Sequence, residues 1–297
     1  MRSFLFVPGD SERKQAKGLA TAADALILDL EDSVSVAQLP AARSRVHELL
    51  RSTPDRSRQQ LWVRVNALSS GLLLEDLAAV MADAGEGGPD GIVLPKVAGP
   101  AEVAEISHYL SALEVRASRA LGSTRLLVIA TETPQALLNL PAWPAQATTI
   151  PAIGQRLVGL TWGSEDLGAA LGVTARVDAT GAPTPAFQHA RTACLLTALA
   201  LGVQAIDGVH VDFRNKEALL KELESARRDG FTGKLAIHPD QVDAINAAFS
   251  PSAAEVAHAE RVVAAFAAAP GAGVVSLDGQ MVDRPHLIQA QRILATR

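Results

Sequence analysis

Ala25-Leu26-Ile27-Leu28-Asp29-Leu30-Glu31-Asp32 is the stretch on which the reading of the chain turns. It opens as an apolar strand and ends with carboxylates at positions 29, 31 and 32. Side chains of a strand alternate between faces. Ala25, Ile27, Asp29 and Glu31 therefore share one face, and Leu26, Leu28 and Leu30 the other. The all-leucine face requires a helix against it. The opposite face runs from apolar to anionic, and acids on an inward strand face are costly unless a cation meets them. Asp32 by itself reads equally well as a solvated rim residue. The stretch as a whole does not, because three later strands end in the same polar way.

Outward from this stretch the chain alternates strand and helix. Strands are expected at Ser3–Pro8, 25–31, 61–66, 92–97, 125–132, 157–162, 204–210 and 234–238. Helices are expected at 11–22, 41–51, 72–84, 100–115 and Pro185–Leu201, with a short one opening at Pro134 and another at Pro239. Eight such units over about 250 residues are what a (β/α)8 TIM barrel needs. A doubly wound open sheet is disfavoured, since no Gly-x-Gly-x-x-Gly follows any strand. A boundary is expected near Phe249-Ser250-Pro251, giving a barrel over 1–249 and an extension over 250–297. The extension reads as a helix, a hairpin-like segment at 274–282 and a last helix. It is too small to fold alone, so it should dock on the barrel or on a neighbouring subunit.

Composition narrows the class. A chain of 297 residues with 48% hydrophobic content can bury a large core. A net charge of −5 argues against nucleic-acid binding. Gly and Pro interrupt the apolar runs too often for a membrane span, and the N-terminus enters a strand without the pattern of a signal peptide. The single cysteine, Cys194, lies in an apolar helical run and reads as core packing. With no disulfide possible within the chain, a reducing cytoplasm is expected.

In such barrels chemistry gathers where strands end. The strand-end polar residues are Asp29, Glu31, Asp32, Arg64, Asn66, Lys96 and Glu132, then Glu165, Asp166, His210, Asp212 and His238. Oxygen donors without a Cys or His cluster point to a hard cation, Mg²⁺ or Mn²⁺. Glu132 and Asp166, from neighbouring strands, fit that demand best, with Glu31 and Asp32 orienting the metal's waters. Alternation puts Glu132 on one inward face with Val128 and Ala130, and Trp62, Arg64 and Asn66 on another. Arg64 either pairs structurally with the acids or holds a substrate carboxylate or enolate oxygen.

Several motifs carry a resemblance. Arg2-Ser-Phe-Leu-Phe-Val-Pro-Gly9, Ile27-Leu-Asp-Leu-Glu-Asp-Ser33, Val63-Arg-Val-Asn66 and Gly91-Ile-Val-Leu-Pro-Lys96 resemble the citrate lyase β-subunit-like family. So do Trp162-Gly-Ser-Glu-Asp-Leu167, Ala236-Ile-His-Pro-Asp-Gln241 and Asp278-Gly-Gln-Met-Val-Asp-Arg-Pro285. The family lies within the HpcH/HpaI-type superfamily, with malyl-CoA and citramalyl-CoA lyases as relatives. The resemblance implies a Mg²⁺-dependent TIM barrel that assembles as a trimer or a dimer of trimers. It implies Glu132 and Asp166 as metal ligands and Arg64 as the oxyanion contact. Thr131-Glu-Thr-Pro-Gln135 and Gly163-Ser-Glu-Asp166 depart from the family's usual Glu-Thr-Ala and Gly-Ala-Glu-Asp without removing a ligand.

The implied reaction is cleavage or formation of a 3-hydroxy-acyl thioester such as citryl-, malyl- or citramalyl-CoA, with a keto acid as the other partner. CoA phosphates require cations. Arg13, Lys14 and Lys17 share a helix face and Arg2 is a further candidate, although a solvated face explains the helix equally well. Lys96 is also expected to contact substrate. Asp283, by spacing alone, is a turn residue or a helix N-cap. The resemblance makes it the general base, reaching into an adjacent subunit. Two alternatives remain: an aldolase on free keto acids, metal-dependent or using Lys96 as a Schiff base, and a non-catalytic acyl-thioester-binding subunit.

Overall fold

The computed structural model of the chain describes residues 1–82 and 87–295. Eight parallel strands close a barrel in sequence order: β1 (Ser3–Pro8), β2 (Ala25–Asp29), β3 (Gln60–Arg64), β4 (Gly91–Leu94), β5 (Arg125–Ile129), β6 (Leu157–Thr161), β7 (Gln204–Asp207) and β8 (Gly233–Ala236). Ser3 pairs with Lys234 to seal β1 against β8. This is the (β/α)8 architecture expected from the alternation.

The barrel interior is filled by Phe4, Ile27, Trp62, Val93, Leu127, Ile206 and Leu235, so it is a packed core and not a channel. The largest of these side chains dictates a small neighbour. A Cβ at Gly91, paired with Trp62 across β3 and β4, would lie 2.2 Å from the indole Cζ3. Phe4 meets the same indole edge-on, with ring centroids 6.4 Å apart. The leucine face of β2 is fully buried at Leu26 and Leu28, as is Leu30 just beyond the strand. The helix Glu12–Leu19 contacts this strand, as the pattern required.

Six of the barrel strands, β2 to β5, β7 and β8, end two to three residues earlier than expected, while β6 ends one residue early and β1 as expected. Residues 30–32, 65–66, 95–97 and 130–132 leave the ladder and form the mouth. β5 also differs in facing. Its inward residues are Leu127 and Ile129, not Val128 and Ala130, because alternation lapses once the chain leaves the ladder. Glu132 reaches the mouth from the turn beyond the strand. The helix expected to run to residue 84 ends at Val80, and Ala84 lies outside the described residues. Helices at Ser164–Leu171 and Lys216–Asp229 complete the units after β6 and β7.

A buried ion pair fastens the outer layer. Arg156 donates from Nη1 and Nη2 to the two oxygens of Glu114, each at 2.7 Å, and also bonds Ser107, Ser111 and the Thr124 carbonyl. These contacts tie the helix Pro100–Arg116 to the helix Pro151–Arg156 that leads into β6. The chain divides into one unit over Met1–Asn246 and a second from Ala247 onward, three residues before the expected boundary. The second unit has its own small core of Ala259, Val262, Val282 and Ala290. That core lies among the helix Ala253–Ala268, the antiparallel pair β9 (Val274–Leu277) and β10 (Gln280–Asp283), and the helix Arg284–Ala295. Cys194 is buried, as expected of a packing residue. Among the described residues no helix is long and apolar enough to cross a membrane.

Candidate active site

Asp29, the last residue of β2, organises the mouth. It pairs in register with Arg64 of β3, and its Oδ1 and Oδ2 accept from Arg64 Nε and Nη2 at 2.7 Å each. The same carboxylate accepts from the backbone N–H of Glu31 and of Ser33, closing the turn that carries Glu31 and Asp32. Burial pushes the Asp29 carboxyl up, but the hydrogen bonds and charge of Arg64 outweigh it, and the group is held below the usual carboxylate range. Arg64 Nη1 lies 2.9 Å from Glu31 Oε2 and 3.5 Å from Asp32 Oδ2. The guanidinium also covers the Phe6 ring, 4.8 Å from its centroid. Of the two roles open to Arg64 from sequence, the structural pairing is thus present.

Lys96 gathers the remaining acids. Its Nζ bonds Glu31 Oε1 and lies 3.3 Å from both Asp32 Oδ1 and Asp166 Oδ1. Its backbone N–H donates to Glu132 Oε2. The residue holds φ at 54°, a conformation that costs a non-glycine residue energy and persists only when surroundings impose it. Burial pulls the Lys96 ammonium down, but Glu31, Asp166 and Asp32 raise it above its ordinary value. A Schiff-base lysine needs the opposite shift.

Glu132 is 2% exposed. Burial, then the nearby charges of Asp166 and Glu31, raise its carboxyl well above the usual range despite the hydrogen bond from Lys96. Gly163 permits this burial, for a Cβ there would lie 2.8 Å from Glu132 Cγ. The Glu31 carboxyl is likewise raised, by burial first, with the Arg64 and Lys96 cations opposing. A hard divalent cation suits this arrangement. The donors are all oxygens, and a buried carboxyl driven toward its neutral form regains its charge beside a metal. Among the described residues no three His, Cys, Asp or Glu side chains converge as a ready-made cage. Mg²⁺ tolerates this, since it is commonly held by one or two carboxylates with water and substrate oxygens completing its shell.

These groups line a cleft of about 370 Å³ at the C-terminal end of the barrel, bounded by Phe6, Asp29, Asp32, Arg64, Glu132 and Asp166 among others. Its far wall includes Trp162, whose indole N–H donates to buried Asp207 Oδ1 at 2.7 Å. Asp207 is itself held by Arg191 and Lys234. A second cleft, about 420 Å³, shares Phe6, Pro8 and Ile237 with the first and carries Arg13, Lys14 and Lys17.

Not every expected residue gathers here. Arg2 is a correction. It precedes β1, at the end of the barrel opposite the mouth, where its guanidinium and backbone N–H are bonded to Asp24. Asn66 turns away to bond Asp76 and the Leu30 carbonyl. His210 contacts Glu222, and His238 caps the turn Pro239–Gln241. Asp283 closes β10 in the second unit, with Oδ1 2.5 Å from His286 Nδ1, an interaction that keeps its carboxyl low. Two features escaped the sequence reading: Asp29 as the partner of Arg64, and Trp162 with its Asp207 anchor. In the first, Asp29 and Arg64 both end inward strand faces, but only the register of β2 against β3 makes them partners. The second depends on the packing of β6 against β7.

The chain as a whole is similar to known proteins. The chain is 35% identical to mitochondrial citramalyl-CoA lyase of Rattus norvegicus, over 99% of this chain and 85% of that protein. It is 36% identical to citrate lyase subunit beta of Escherichia coli K12, over 99% and 92%. The crystal structure of CitE from Mycobacterium tuberculosis in complex with magnesium, acetoacetate and coenzyme A is similar at a TM-score of 0.74 and 35% identity, covering 99% of this chain and 97% of that one. Residues 2–239 match the family model of the HpcH/HpaI aldolases and citrate lyases, and with relatives of this similarity over nearly its whole length the chain belongs to that family.

Proposed function

We propose that the chain is a Mg²⁺-dependent carbon–carbon lyase. It cleaves, or in reverse forms, a 3-hydroxy-acyl-CoA thioester, yielding acetyl-CoA or a related acyl-CoA and a 2-keto acid. The observation that carries this reading is the meeting of buried Glu132, Asp166 and the Asp29-clamped Arg64 in one cleft. The magnesium, acetoacetate and coenzyme A held by the similar CitE structure support it. Glu132 and Asp166 would hold the cation. When bound, it supplies Lewis-acid polarisation of the keto acid's oxygens. Glu31 and Asp32, positioned by Lys96, would orient water around it.

The residues divide the rest of the work. The general base removes the hydroxyl proton, the bond between the carbinol carbon and the thioester α-carbon breaks, and a carbonyl forms. The electron pair passes to the thioester enolate, which then takes up a proton. Arg64 is suited to that oxyanion, since Asp29 fixes the guanidinium through Nε and Nη2 at the cleft wall, and Nη1 beside Glu31 and Asp32 would turn from those acids to the developing charge. Asp283, ionised beside His286, is the base in this reading, supplied by an adjacent subunit of a trimer or hexamer. The Arg13, Lys14 and Lys17 cleft would take the CoA phosphates. The single cysteine accords with a reducing cytoplasm.

A Schiff-base aldolase is disfavoured by the three carboxylates on Lys96. The test is cleavage of citryl-, malyl- and citramalyl-CoA with and without Mg²⁺. Magnesium-dependent release of a keto acid is expected. Borohydride trapping of a keto acid on Lys96 would favour the aldolase, and metal-independent binding without turnover would favour a non-catalytic subunit.

A further inference from the structure

Lyase chemistry of this kind leaves open what the carbonyl carbon of the keto acid carries besides its carboxylate: hydrogen, methyl, or a second carboxylate on a methylene. The identities of 35% and 36% to a citramalyl-CoA lyase and a citrate lyase subunit do not choose between them. The cleft wall does. Outside the acid cluster and Arg64 it is mainly apolar, with Phe6, Ile129, Trp162, Val209, Leu235 and Ile237, and its other polar side chains are the hydroxyls of Ser33 and Ser164. None of these side chains offers a cation.

The charge around them is already anionic. Asp29, Asp32, Glu132, Glu165 and Asp166 line the cleft, and among the described residues lining it Arg64 is the only cation. Two of its nitrogens bond Asp29, and the third lies beside Glu31 and Asp32. Lys96 nearby serves three carboxylates. One divalent cation, with Arg64 and Lys96, brings four positive charges to five lining carboxylates, so the cleft stays anionic before any substrate carboxylate enters. A second carboxylate would meet the apolar wall and at most the Ser33 and Ser164 hydroxyls, with no further cation to neutralise it, which is costly. The wall is also fixed in place. Asp207 holds the Trp162 indole N–H, and a Cβ at Gly208 would lie 3.2 Å from indole Nε1, so the ring rests flush on backbone.

Building on the lyase reading above, we propose that this chain selects keto acids whose carbonyl carbon bears a small uncharged group, methyl or hydrogen. It excludes the carboxymethyl group of oxaloacetate. Its hydroxy-acyl thioester therefore carries one free carboxylate rather than two, as in malyl- or citramalyl-type substrates. The methyl group of pyruvate gains burial against the wall.

The test is calorimetric titration of the Mg²⁺-loaded protein with pyruvate, glyoxylate and freshly dissolved oxaloacetate. Pyruvate is expected to bind at least about tenfold tighter than oxaloacetate, since an unpartnered like charge in a buried site is penalised by at least that factor. Ile237→Arg, which places a cation in the wall, should shift the ratio toward oxaloacetate by about tenfold or more. Oxaloacetate binding as tightly as pyruvate to the unaltered protein would overturn the inference and leave the lyase reading standing. A ratio unmoved by Ile237→Arg in a folded variant would overturn the assignment of selectivity to this wall. Failure of all three acids to bind would overturn the lyase reading and the inference with it.

Discussion

Arg64 of β3 and Asp29 of β2 form a two-pronged ion pair, with Nε and Nη2 each 2.7 Å from a carboxylate oxygen. Both side chains are largely buried, so each leaves the other uncompensated when removed. Asp29→Ala should lower the unfolding free energy by about 3–5 kcal/mol, the usual result of breaking a buried pair. It should also reduce turnover, because Arg64 loses its orientation. Urea unfolding followed by circular dichroism measures the first effect. A loss below about 1 kcal/mol would mean the pair is solvated and not a clamp.

Replacing Arg64 by Lys keeps the charge and loses the planar fork. Turnover should fall by roughly 10²–10³, the cost of an oxyanion donor, while Mg²⁺ affinity stays close to that of the unaltered protein. Unchanged steady-state kinetics would return Arg64 to a purely structural role.

Glu132→Ala and Asp166→Ala should each abolish Mg²⁺ binding in a protein that remains folded. Calorimetric titration with Mg²⁺ reads this directly. Either variant binding the ion like the parent would remove that residue from the ligand set.

Asp283→Asn should lose roughly 10²–10⁴ in turnover, the typical share of a general base, and retain Mg²⁺ binding. If the acid acts on an adjacent subunit, co-expression with Arg64→Ala subunits should restore part of the activity, because some sites then draw both intact residues. Mixed oligomers as inactive as either parent would place Asp283 in its own subunit's site.

Acid sensitivity should trace to Glu114. Burial pushes its carboxyl up, but the Arg156 fork and the backbone N–H groups of Thr124 and Gly122 hold it at about 2. A depressed carboxyl stabilises the fold fully above its unfolded value of about 4.5, and that contribution disappears as pH falls toward about 2. The contribution is on the order of 3 kcal/mol. Glu114→Gln should therefore lower stability at neutral pH and flatten its pH dependence between about 4.5 and 2. Urea midpoints measured across that range check it. A variant as acid-sensitive as the parent would assign the transition to other carboxylates.

The sequence by itself determined the eight strands, a helix after each except β7, the helix-covered leucine face of β2 and the acids of the mouth. Each rests on local periodicity or on residue types at the ends of apolar runs, and these do not depend on how the barrel closes. Arg2 was also within its reach, since a residue before β1 lies opposite the end where barrel chemistry gathers. Tertiary structure alone decided which partners meet. Asp29 faces Arg64 because β2 and β3 pair in that register. Glu132 enters the cleft from a turn past β5, where strand alternation no longer applies. Lys96 reaches acids that follow two different strands, β2 and β6, and Trp162 becomes a rigid wall through Asp207 on the next strand. Register, the exit of the chain from the ladder and cross-strand packing are set by closure of the whole barrel, and no single stretch encodes that closure.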